Sequence, residues 1–487
     1  MSSLADRIRA IVAPRVAGAV PGGGPGDLAQ GVSAASTAGL KASAASTIVN
    51  LGATLGGEWR GGVFVVDRRR DPAALHGRER IGALADRLDR AAGEAPLFTG
   101  GSPARPPFVF FDLETTGLSG GAGTLAFLVG CAWFDADGAF VTRQFLLARH
   151  ADERPLLEAV AAELARAGAL VSFNGKSFDA PLLEGRYLFH RLAWRGRELP
   201  HVDVLHPARR FWKSRESSSK GLRYASSGER GRGDAGLGNG GDLFVARPAT
   251  GESVMVAQPF RAASGEGCSL QALERQLIGL RRVGDVAGFE IPARYFQFIR
   301  SGDAAPLEAI LEHNRLDLLT LAALTARLLH MTRSGPGAIT DPREAAALGH
   351  VYARGGLDAR ARESYRRAIE RCRSPRGAYD PIRIDALRAL ALTCRRARQH
   401  DEAAGCWREL AEMRGCPAPI QREAAEALAI HHEHRVKDLA SAKRFTLGGL
   451  ATLTDGPQPS LAEAMRHRLA RIERKINGSA HNGQLLD

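Results

Sequence analysis

The chain has 487 residues, of which 44% are hydrophobic and 24% charged, and this composition predicts a folded protein of roughly three domains. Its formal net charge of +13 favours polyanionic partners, because lysine and arginine displace counterions from phosphates, although solvated helix faces would give the same excess. The six cysteines form no CxxC pair and no Cys/His cluster with zinc spacing, which excludes a disulfide framework and that kind of zinc site.

The N-terminal part of the chain carries no recognisable chemistry. Residues 1–57 are predicted to be a low-complexity, disordered N-terminus, because Ala, Gly and Ser dominate residues 17–57. Residues 58–107 are predicted to be a short N-terminal extension. Its one strand and one helix are expected at Gly62–Val66 and Arg80–Ala91. No secretory signal is visible near Met1, and the longest strongly apolar stretch, Thr124–Phe134, is too short to cross a bilayer, so we expect a cytoplasmic protein with no membrane partner.

Residues 108–330 have the pattern of an α/β domain, because three strands in a meander are followed by alternating helix and strand. The predicted strands are Phe108–Asp112, Thr124–Phe134, Phe140–Ala148 and Ala169–Phe173, and the predicted helices are Glu153–Ala167, Asp179–Leu192, Ser269–Leu280 and Leu307–His330. Residues 214–267 break the pattern with Gly, Ser and scattered charges. A low-complexity insertion or a disordered loop is therefore expected there.

The C-terminal part, residues 340–476, has the spacing of tetratricopeptide-like helical repeats. The positions that fit are Leu348, Gly349, Tyr352, Gly356, Ala361, Tyr365 and Ala368, then Leu390, Ala391, Cys394, Ala403, Trp407 and Leu410, with a fainter copy over Ala429–Thr446. One helical hairpin cannot bury its apolar face alone, so such repeats must stack, and the stack offers a surface to a protein partner. An ordinary helical bundle is the alternative interpretation.

Four acidic residues and one histidine form the pattern that carries chemistry. Asp112 and Glu114 lie two apart on the first strand, so both carboxylates project from one face. Asp179 follows the fourth strand, at a strand-to-helix crossing where ligand sites collect. Asp317 lies on the long helix one turn after His313. Carboxylates that repel one another are relieved by hard divalent cations, so the pattern predicts a site for two Mg²⁺ or Mn²⁺ ions.

Each part of this pattern has a structural interpretation when taken alone. A DxE pair is mostly a solvated strand edge, and Asp179 at the start of a helix is often an N-cap. His313 alone is typical of a surface helix. Only the ordered combination points to phosphodiester chemistry.

The same residues resemble a known family. Asp112-Leu-Glu114 with the following Thr-Thr-Gly-Leu118 resembles the first motif of the DEDD exonucleases, Asn174–Leu183 is similar to the second, and His313-Asn-Arg-Leu-Asp317 to the third. Further stretches narrow the resemblance to the YprB-like ribonuclease-H-like proteins. These stretches are Thr115–Gly130, Gln271–Arg275, Ile291–Phe296 and Glu312–Asp317. The resemblance covers about residues 108–330 and the helical repeats behind them.

This resemblance implies an α/β ribonuclease-H-like domain, with a mixed sheet flanked by helices, followed by an all-α tetratricopeptide-like repeat domain. It implies a 3′–5′ exonuclease that hydrolyses phosphodiester bonds of single-stranded DNA or RNA with two Mg²⁺ or Mn²⁺ ions. Asp112, Glu114 and Asp317 would ligate the catalytic metal, Asp112 would bridge to the second, and Asp179 would help through water. His313 would be the general base, although its spacing of four residues from Asp317 is that of the tyrosine-type branch.

The resemblance also implies substrate contacts. Residues Thr115, Thr116, Gly117 and Leu118 would touch the terminal nucleotide, and Asn174 would position the substrate near the second metal. The basic residues near the motifs could grip phosphates without reading sequence. They are Lys176, Arg186, Arg209, Arg210, Lys213 and Arg315. Phe178 or Tyr187 could stack on a base, but core packing is the favoured interpretation of both.

Two other functions fit the sequence. A ribonuclease-H-like endonuclease shares the acidic residues and the metals. A nucleic-acid-binding adaptor would combine an impaired nuclease domain, spoiled by the insertion 214–267, with protein-binding repeats. The choice between DNA and RNA stays open.

Overall fold

The structure is a computed structural model, and it describes residues 51–117, 123–213, 268–375, 377–452 and 459–483. In these ranges the strands are β1 (Glu58–Arg60), β2 (Val63–Arg70), β3 (Leu75–His76), β4 (Glu79–Arg80), β5 (Phe108–Thr115), β6 (Ala126–Phe134), β7 (Phe140–Leu146), β8 (Ala169–Ser172) and β9 (His201–Asp203). The α-helices of the first part are α1 (Ile81–Ala91), α2 (Glu153–Leu164), α3 (Asp179–Phe189), α4 (Leu205–Trp212), α5 (Leu270–Leu273), α6 (Ile291–Ser301) and α7 (Ala305–Ser334). Those of the C-terminal part are α8 (Pro342–Arg354), α9 (Asp358–Arg371), α10 (Pro381–Arg396), α11 (His400–Glu412), α12 (Ala418–His431), α13 (Leu439–Ala451) and α14 (Pro459–Gly483).

A mixed sheet forms the centre of the first part. Its strand order is β1-β2-β7-β6-β5-β8-β9, with β8 parallel to β5, β9 parallel to β8, and the other neighbours antiparallel. The expected mixed sheet flanked by helices, followed by an all-helical region, is confirmed. Strand β5 lies between β6 and β8, so the residues that follow its apolar run emerge at the middle of the sheet.

The alternation of side chains along β5 sends apolar residues to both faces of the sheet. Val109 and Phe111 belong to a core with α2, α3, α6 and the first turns of α7. Phe108 and Phe110 belong to a second core with α1, α4 and the later turns of α7. Asp112 and Glu114 continue the alternation of Phe108 and Phe110, so they lie on the face that α7 crosses.

Helix α7 approaches the sheet closely at Gly130. A Cβ atom at this position would lie 2.2 Å from Asn314 Oδ1 and 2.8 Å from Leu318 Cδ1, so only glycine permits the contact. Gly130 is paired with Asp112 across β6 and β5. The close approach therefore brings α7, which carries His313 and Asp317, directly over the acidic end of β5.

Two regions differ from the sequence prediction in detail. The predicted short extension, residues 58–107, contributes strands to the sheet, because Phe64–Arg70 of β2 pair with β7. Within the segment 1–57, for which no stable structure was expected, residues 51–55 are helical because Leu51 and Leu55 bury their side chains in the core. The rest of that segment and the predicted insertion 214–267 lie outside the described residues.

The C-terminal helices stack in sequence order, with buried side chains at the positions expected for helical repeats. Gly349 on α8 is the clearest example, since a Cβ atom there would lie 2.5 Å from Tyr365 Cε1 on α9. The all-helical region is confirmed, whereas its assignment to the tetratricopeptide class stays a prediction. Among the helices that the structure describes, none combines the length and the apolar character needed to cross a membrane.

Candidate active site

The four predicted carboxylates come from three elements and influence one another. Asp112 and Glu114 end β5, Asp179 begins α3, and Asp317 lies on α7. The charges of Asp317, Glu114 and Asp179 all act on Asp112. The structure thus brings together residues that are 205 positions apart in the chain (Asp112 to Asp317), as the order of the motifs indicates.

The ionisation of these carboxylates shows how crowded the negative charge is. Burial, followed by the charges of the neighbouring carboxylates, raises the pKa of Asp112 and that of Glu114 well above their usual values. Burial and the charge of Asp203 raise the pKa of Asp179 to about 7. The pKa of Asp317 is also raised by burial, although Arg282 and His313 oppose this shift. A bound cation would remove the penalty that these groups impose on one another.

Arg282 is a buried cation at the edge of the cluster that the sequence did not reveal. Its Nη2 lies 2.6 Å from Asp317 Oδ1 and 2.7 Å from Glu274 Oε2, and its side chain is 5% exposed. Its Nη1 lies 3.2 Å from Asp285 Oδ2. Arg282 therefore already neutralises part of the charge of Asp317, and Asp317 would have to turn from it to give both oxygens to a metal.

His313 is held by a carboxylate that the sequence also did not reveal. Its Nδ1 lies 2.7 Å from Asp285 Oδ1, and its Nε2 lies 3.5 Å from Asp317 Oδ2. If Nδ1 donates its hydrogen to Asp285, the lone pair of Nε2 is directed at the carboxylate cluster. The imidazole is buried, so its orientation is set by this hydrogen bond and by packing.

Asn314, next to His313, holds Asp112 in place. Its Nδ2 donates to Asp112 Oδ2 at 2.8 Å, while its Oδ1 accepts from Gln144 Nε2 at 2.9 Å. Arg315 Nη1 donates to Gln144 Oε1 at 3.0 Å and also pairs with Glu312. Arg315, expected to bind phosphate, thus lies in the network that supports Asp112, and the structure does not bring its guanidinium to the carboxylates.

Asp179 is positioned by a tight loop after β8. Asp203 at the end of β9 accepts from the backbone N–H of Asn174 at 2.8 Å and from that of Lys176 at 3.1 Å. Asn174 adopts φ 72°, and a Cβ at Gly175 would lie 3.0 Å from Asp179 Oδ2. The predicted Asn174 and Lys176 therefore lie on the loop that delivers Asp179, and Asp203 fixes that loop.

The residues after Glu114 continue from the acidic end of β5. The register between β5 and β6 shifts at Glu114 and Thr115, where the strand becomes irregular. Thr115 Oγ1 donates to the Gly117 carbonyl at 3.0 Å, and Thr116 Oγ1 accepts from the Leu125 amide at 2.9 Å. Leu118, the last member of this predicted substrate group, lies outside the described residues.

The donor set fits a hard divalent cation in its chemistry, since it consists of carboxylate oxygens that are short of positive charge. As the side chains stand, no three acidic, histidine or cysteine side chains within the described ranges converge on a common point. Asp317 Oδ1 is instead paired with Arg282 Nη2 at 2.6 Å.

The part of the chain that contains this site is similar to a known protein family. Residues 109–224 and 245–329 match the family model of the RNase_H superfamily. This region is ribonuclease-H-like. The matched residues include all four carboxylates and His313, and the interruption at 225–244 falls within the stretch predicted to be an insertion.

A relative supports the same conclusion. The chain is 27% identical to a protein of Bacillus subtilis (strain 168), "Uncharacterized protein YprB", over 372 residues, which cover 76% of this chain and 75% of that protein. The expected ribonuclease-H-like protein is confirmed at this level. Its DEDD type, the roles of its site residues and the direction of cleavage stay predictions.

Proposed function

We propose that this protein is a metal-dependent nuclease that hydrolyses phosphodiester bonds from the 3′ end of single-stranded DNA or RNA. One observation carries the proposal. Asp112, Glu114, Asp179 and Asp317 crowd their negative charge within a ribonuclease-H-like region: burial raises the pKa of all four, and the charges of Asp317 and Asp179 raise those of Asp112 and Glu114 further. Such a cluster favours divalent cations and the negatively charged substrate that accompanies them.

The four carboxylates would hold the metal ions. Asp112, Glu114 and Asp317 would hold the first Mg²⁺ or Mn²⁺ ion, and Asp112 and Asp179 would help to hold the second. Bound divalent cations would lower the pKa of water and offset the charge of the phosphate. Asn314 keeps Asp112 from rotating, through the hydrogen bond of 2.8 Å.

Residues next to the carboxylates would accept the proton and contact the substrate. His313 would accept the proton of the attacking water at Nε2, while Asp285 orients the imidazole through Nδ1. Residues 115–118 would contact the terminal nucleotide, Asn174 would position the substrate, and Lys176 would contact phosphate. Arg315 would act through Gln144, not on a phosphate directly.

An adaptor that binds nucleic acid without cleaving it is the second candidate. The ion pair between Arg282 and Asp317 favours it, because a cluster already paired with a buried arginine has less need of a metal. The two functions predict the same binding and different chemistry, so one experiment separates them.

The test uses the full chain and single-stranded DNA and RNA oligonucleotides labelled at the 5′ end, with Mn²⁺, Mg²⁺ or EDTA. The proposal expects a ladder that shortens from the 3′ end with metal and no products with EDTA. Equal cleavage of substrates with blocked 3′ ends at one internal position would replace it with an endonuclease. Binding without cleavage under all metals would establish the adaptor.

A further inference from the structure

A large basic groove lies beside the carboxylate cluster, at the junction with the C-terminal helices. It is a cavity of roughly 980 Å³. One wall is the loop after β8 with Lys176, another is α4, and a third is the segment from Pro96 to Gly101 before β5. The end of α8, with Arg354 and Gly355, also lines the groove. Helices of the C-terminal region and the α/β part thus share one surface.

The groove is lined by basic side chains that lack acidic partners among the described residues. Five basic side chains line it, and all of them are exposed. They are Lys176, His206, Arg209, Arg210 and Arg354. The acidic residue in the lining, Asp203, is buried, and its oxygens accept from the backbone N–H groups of residues 174, 176 and 205. The surface therefore presents positive charge that the described protein does not neutralise.

The cations are held close to one another by the packing of α4 on α8. Trp212 Nε1 donates to Glu344 Oε1 at 2.9 Å, and Arg343 Nη1 donates to the Lys213 carbonyl at 2.5 Å. Burial and the charge of Arg210 lower the pKa of Arg354. Like charges brought together in this way repel one another, so an anion between them would be favoured.

We propose that this groove binds the sugar–phosphate backbone of a single-stranded nucleic acid and leads it to the carboxylate cluster. Lys176 links the two, because it lines the groove and lies three residues before Asp179 on the same loop. Phe98 also lines the groove and is partly exposed, so a base of a single strand can stack on its ring, whereas a paired base cannot. The proposal rests on the proposed function, and it makes the first C-terminal helix part of the substrate site.

The test measures binding in EDTA, so that cleavage plays no part. The probe is a 5′-fluorescein single strand of thymidines, followed by fluorescence anisotropy at several salt concentrations. Arg210→Ala with Arg354→Ala should raise the dissociation constant about tenfold or more. Each phosphate contact on a single strand contributes about 0.7 to the salt slope, so the double variant should lower that slope by about 1.4. The matched control is Arg395→Ala with Arg408→Ala, which removes two exposed arginines of α10 and α11 outside the groove and should bind as the parent does.

The lysine pair Arg210→Lys and Arg354→Lys keeps the charge and should retain most of the affinity. If the alanine double variant binds the single strand with parental affinity, the groove proposal is wrong. It is also wrong if the groove binds a duplex of equal length with higher affinity than the single strand. If the alanine double variant binds the single strand more weakly but the parent cleaves no substrate with any metal, the groove proposal stands and the proposed nuclease activity is wrong. If the parent cleaves the single strand but the alanine double variant binds it as tightly as the parent does, the nuclease activity stands and the groove proposal is wrong.

Discussion

At the end of β5, the charges of Asp317 and Asp179 affect the ionisation of Asp112 and Glu114. The negative charge of each of these four side chains determines whether the cluster can bind cations. Removal of one negative charge should weaken cation binding more than removal of one contact, because the cations are held by the negative charge. The comparison must therefore exchange carboxylate for amide, which keeps the shape of the side chain and removes only the charge.

Asp112→Asn and Asp317→Asn are each expected to abolish turnover nearly completely and to weaken Mn²⁺ binding, since each removes a ligand charge. The measurement is cleavage of a labelled single strand, together with isothermal titration of Mn²⁺. Asp401→Asn serves as the control, because its side chain is fully exposed on α11 and only a 3.9 Å contact with His431 is lost. Parental Mn²⁺ affinity in both cluster variants would contradict their role as ligands.

His313 is expected to act on the proton and not on the metal. General-base removal typically lowers the rate by about 10²–10⁴-fold, so His313→Ala should lie in that range with Mn²⁺ affinity unchanged. Asp285→Asn should lower turnover less, because the imidazole loses its orientation but stays present. His313→Tyr should retain more activity than His313→Ala, since tyrosine is the usual residue at this spacing in the family that the motifs resemble. If His313→Ala cleaves as fast as the parent between pH 6 and 9, the histidine has no catalytic part.

The segment after α5 shows how one element depends on a buried ion pair. Glu274 is completely buried in a π-helical turn, Glu274–Ile278, and Arg282 is its cationic partner at 2.7 Å. A buried charge that loses its partner is strongly destabilising, whereas replacement of both partners by neutral groups can be tolerated. The pair therefore determines where residues 274–285 lie, and with them Asp285.

Arg282→Met should lower the free energy of unfolding by about 3–5 kcal/mol, because Glu274 would stay buried without its cationic partner. Adding Glu274→Gln should restore much of this loss. Urea unfolding followed by circular dichroism measures both. The matched control is Arg388→Met, which breaks an exposed pair with Glu423 and should change stability by less than about 1 kcal/mol. Equal effects of the two single changes would show that the buried pair has no special role.

The β3–β4 hairpin adds a pH dependence. His76 is buried against α7 with its Nε2 2.9 Å from Thr320 Oγ1, and burial lowers its pKa from 6.5 to about 4. In this window the unfolded chain binds a proton that the folded chain does not, so this histidine contributes stability that is lost as the pH falls from 6.5 to about 4. The loss is at most about 3 kcal/mol.

The measurement compares the unfolding free energy of the parent and His76→Gln between pH 4 and 7. The raised pKa values of the cluster carboxylates act in the opposite sense over part of this range, so the difference between the two proteins isolates the histidine. The variant should lose less stability on acidification than the parent. His150→Gln, on an exposed residue, should keep the parental profile, and an unchanged profile in His76→Gln would contradict the argument.

At the scale of the molecule, one core continues from the sheet into the C-terminal helices. The cluster that contains Phe108 and Phe110 also contains Tyr352 on α8, Leu390 on α10 and Leu428 on α12. The later turns of α7 carry this continuity, since they pack on α1 and precede α8 directly. The α/β part and the helical part are therefore not independent in stability.

We expect urea to unfold residues 51–483 in a single cooperative transition. In a variant with Trp212→Phe and Trp407→Phe, tryptophan fluorescence reports on the α/β part, through Trp59, Trp133 and Trp194, while circular dichroism reports mainly on the helices. The two curves should coincide. A chain that ends at residue 339 should unfold at lower urea concentration, because the apolar face of α7 loses its cover. Two separate transitions in the full chain would show that the parts fold on their own.

The sequence by itself determined the α/β pattern, the helical C-terminal part and the carboxylates Asp112, Glu114, Asp179 and Asp317. It could do so because these features repeat with the period of their element or lie in a continuous motif. Strand β5 is an apolar run that ends in charge, and α7 is long enough for its period to be clear. Their bounds shifted by a few residues only at the ends, where hydrogen bonding to neighbours decides.

Only the tertiary structure decided which other groups belong to the site. Asp203 ends a strand of three residues, too short for any period, and Arg282 lies in an irregular segment between α5 and α6. Asp285 and Gln144 have no motif around them, and Arg354 reaches the groove from a helix beyond residue 330. Each acts through charge or a hydrogen bond to a residue far away in the chain, and such a contact leaves no pattern in the local order of residues.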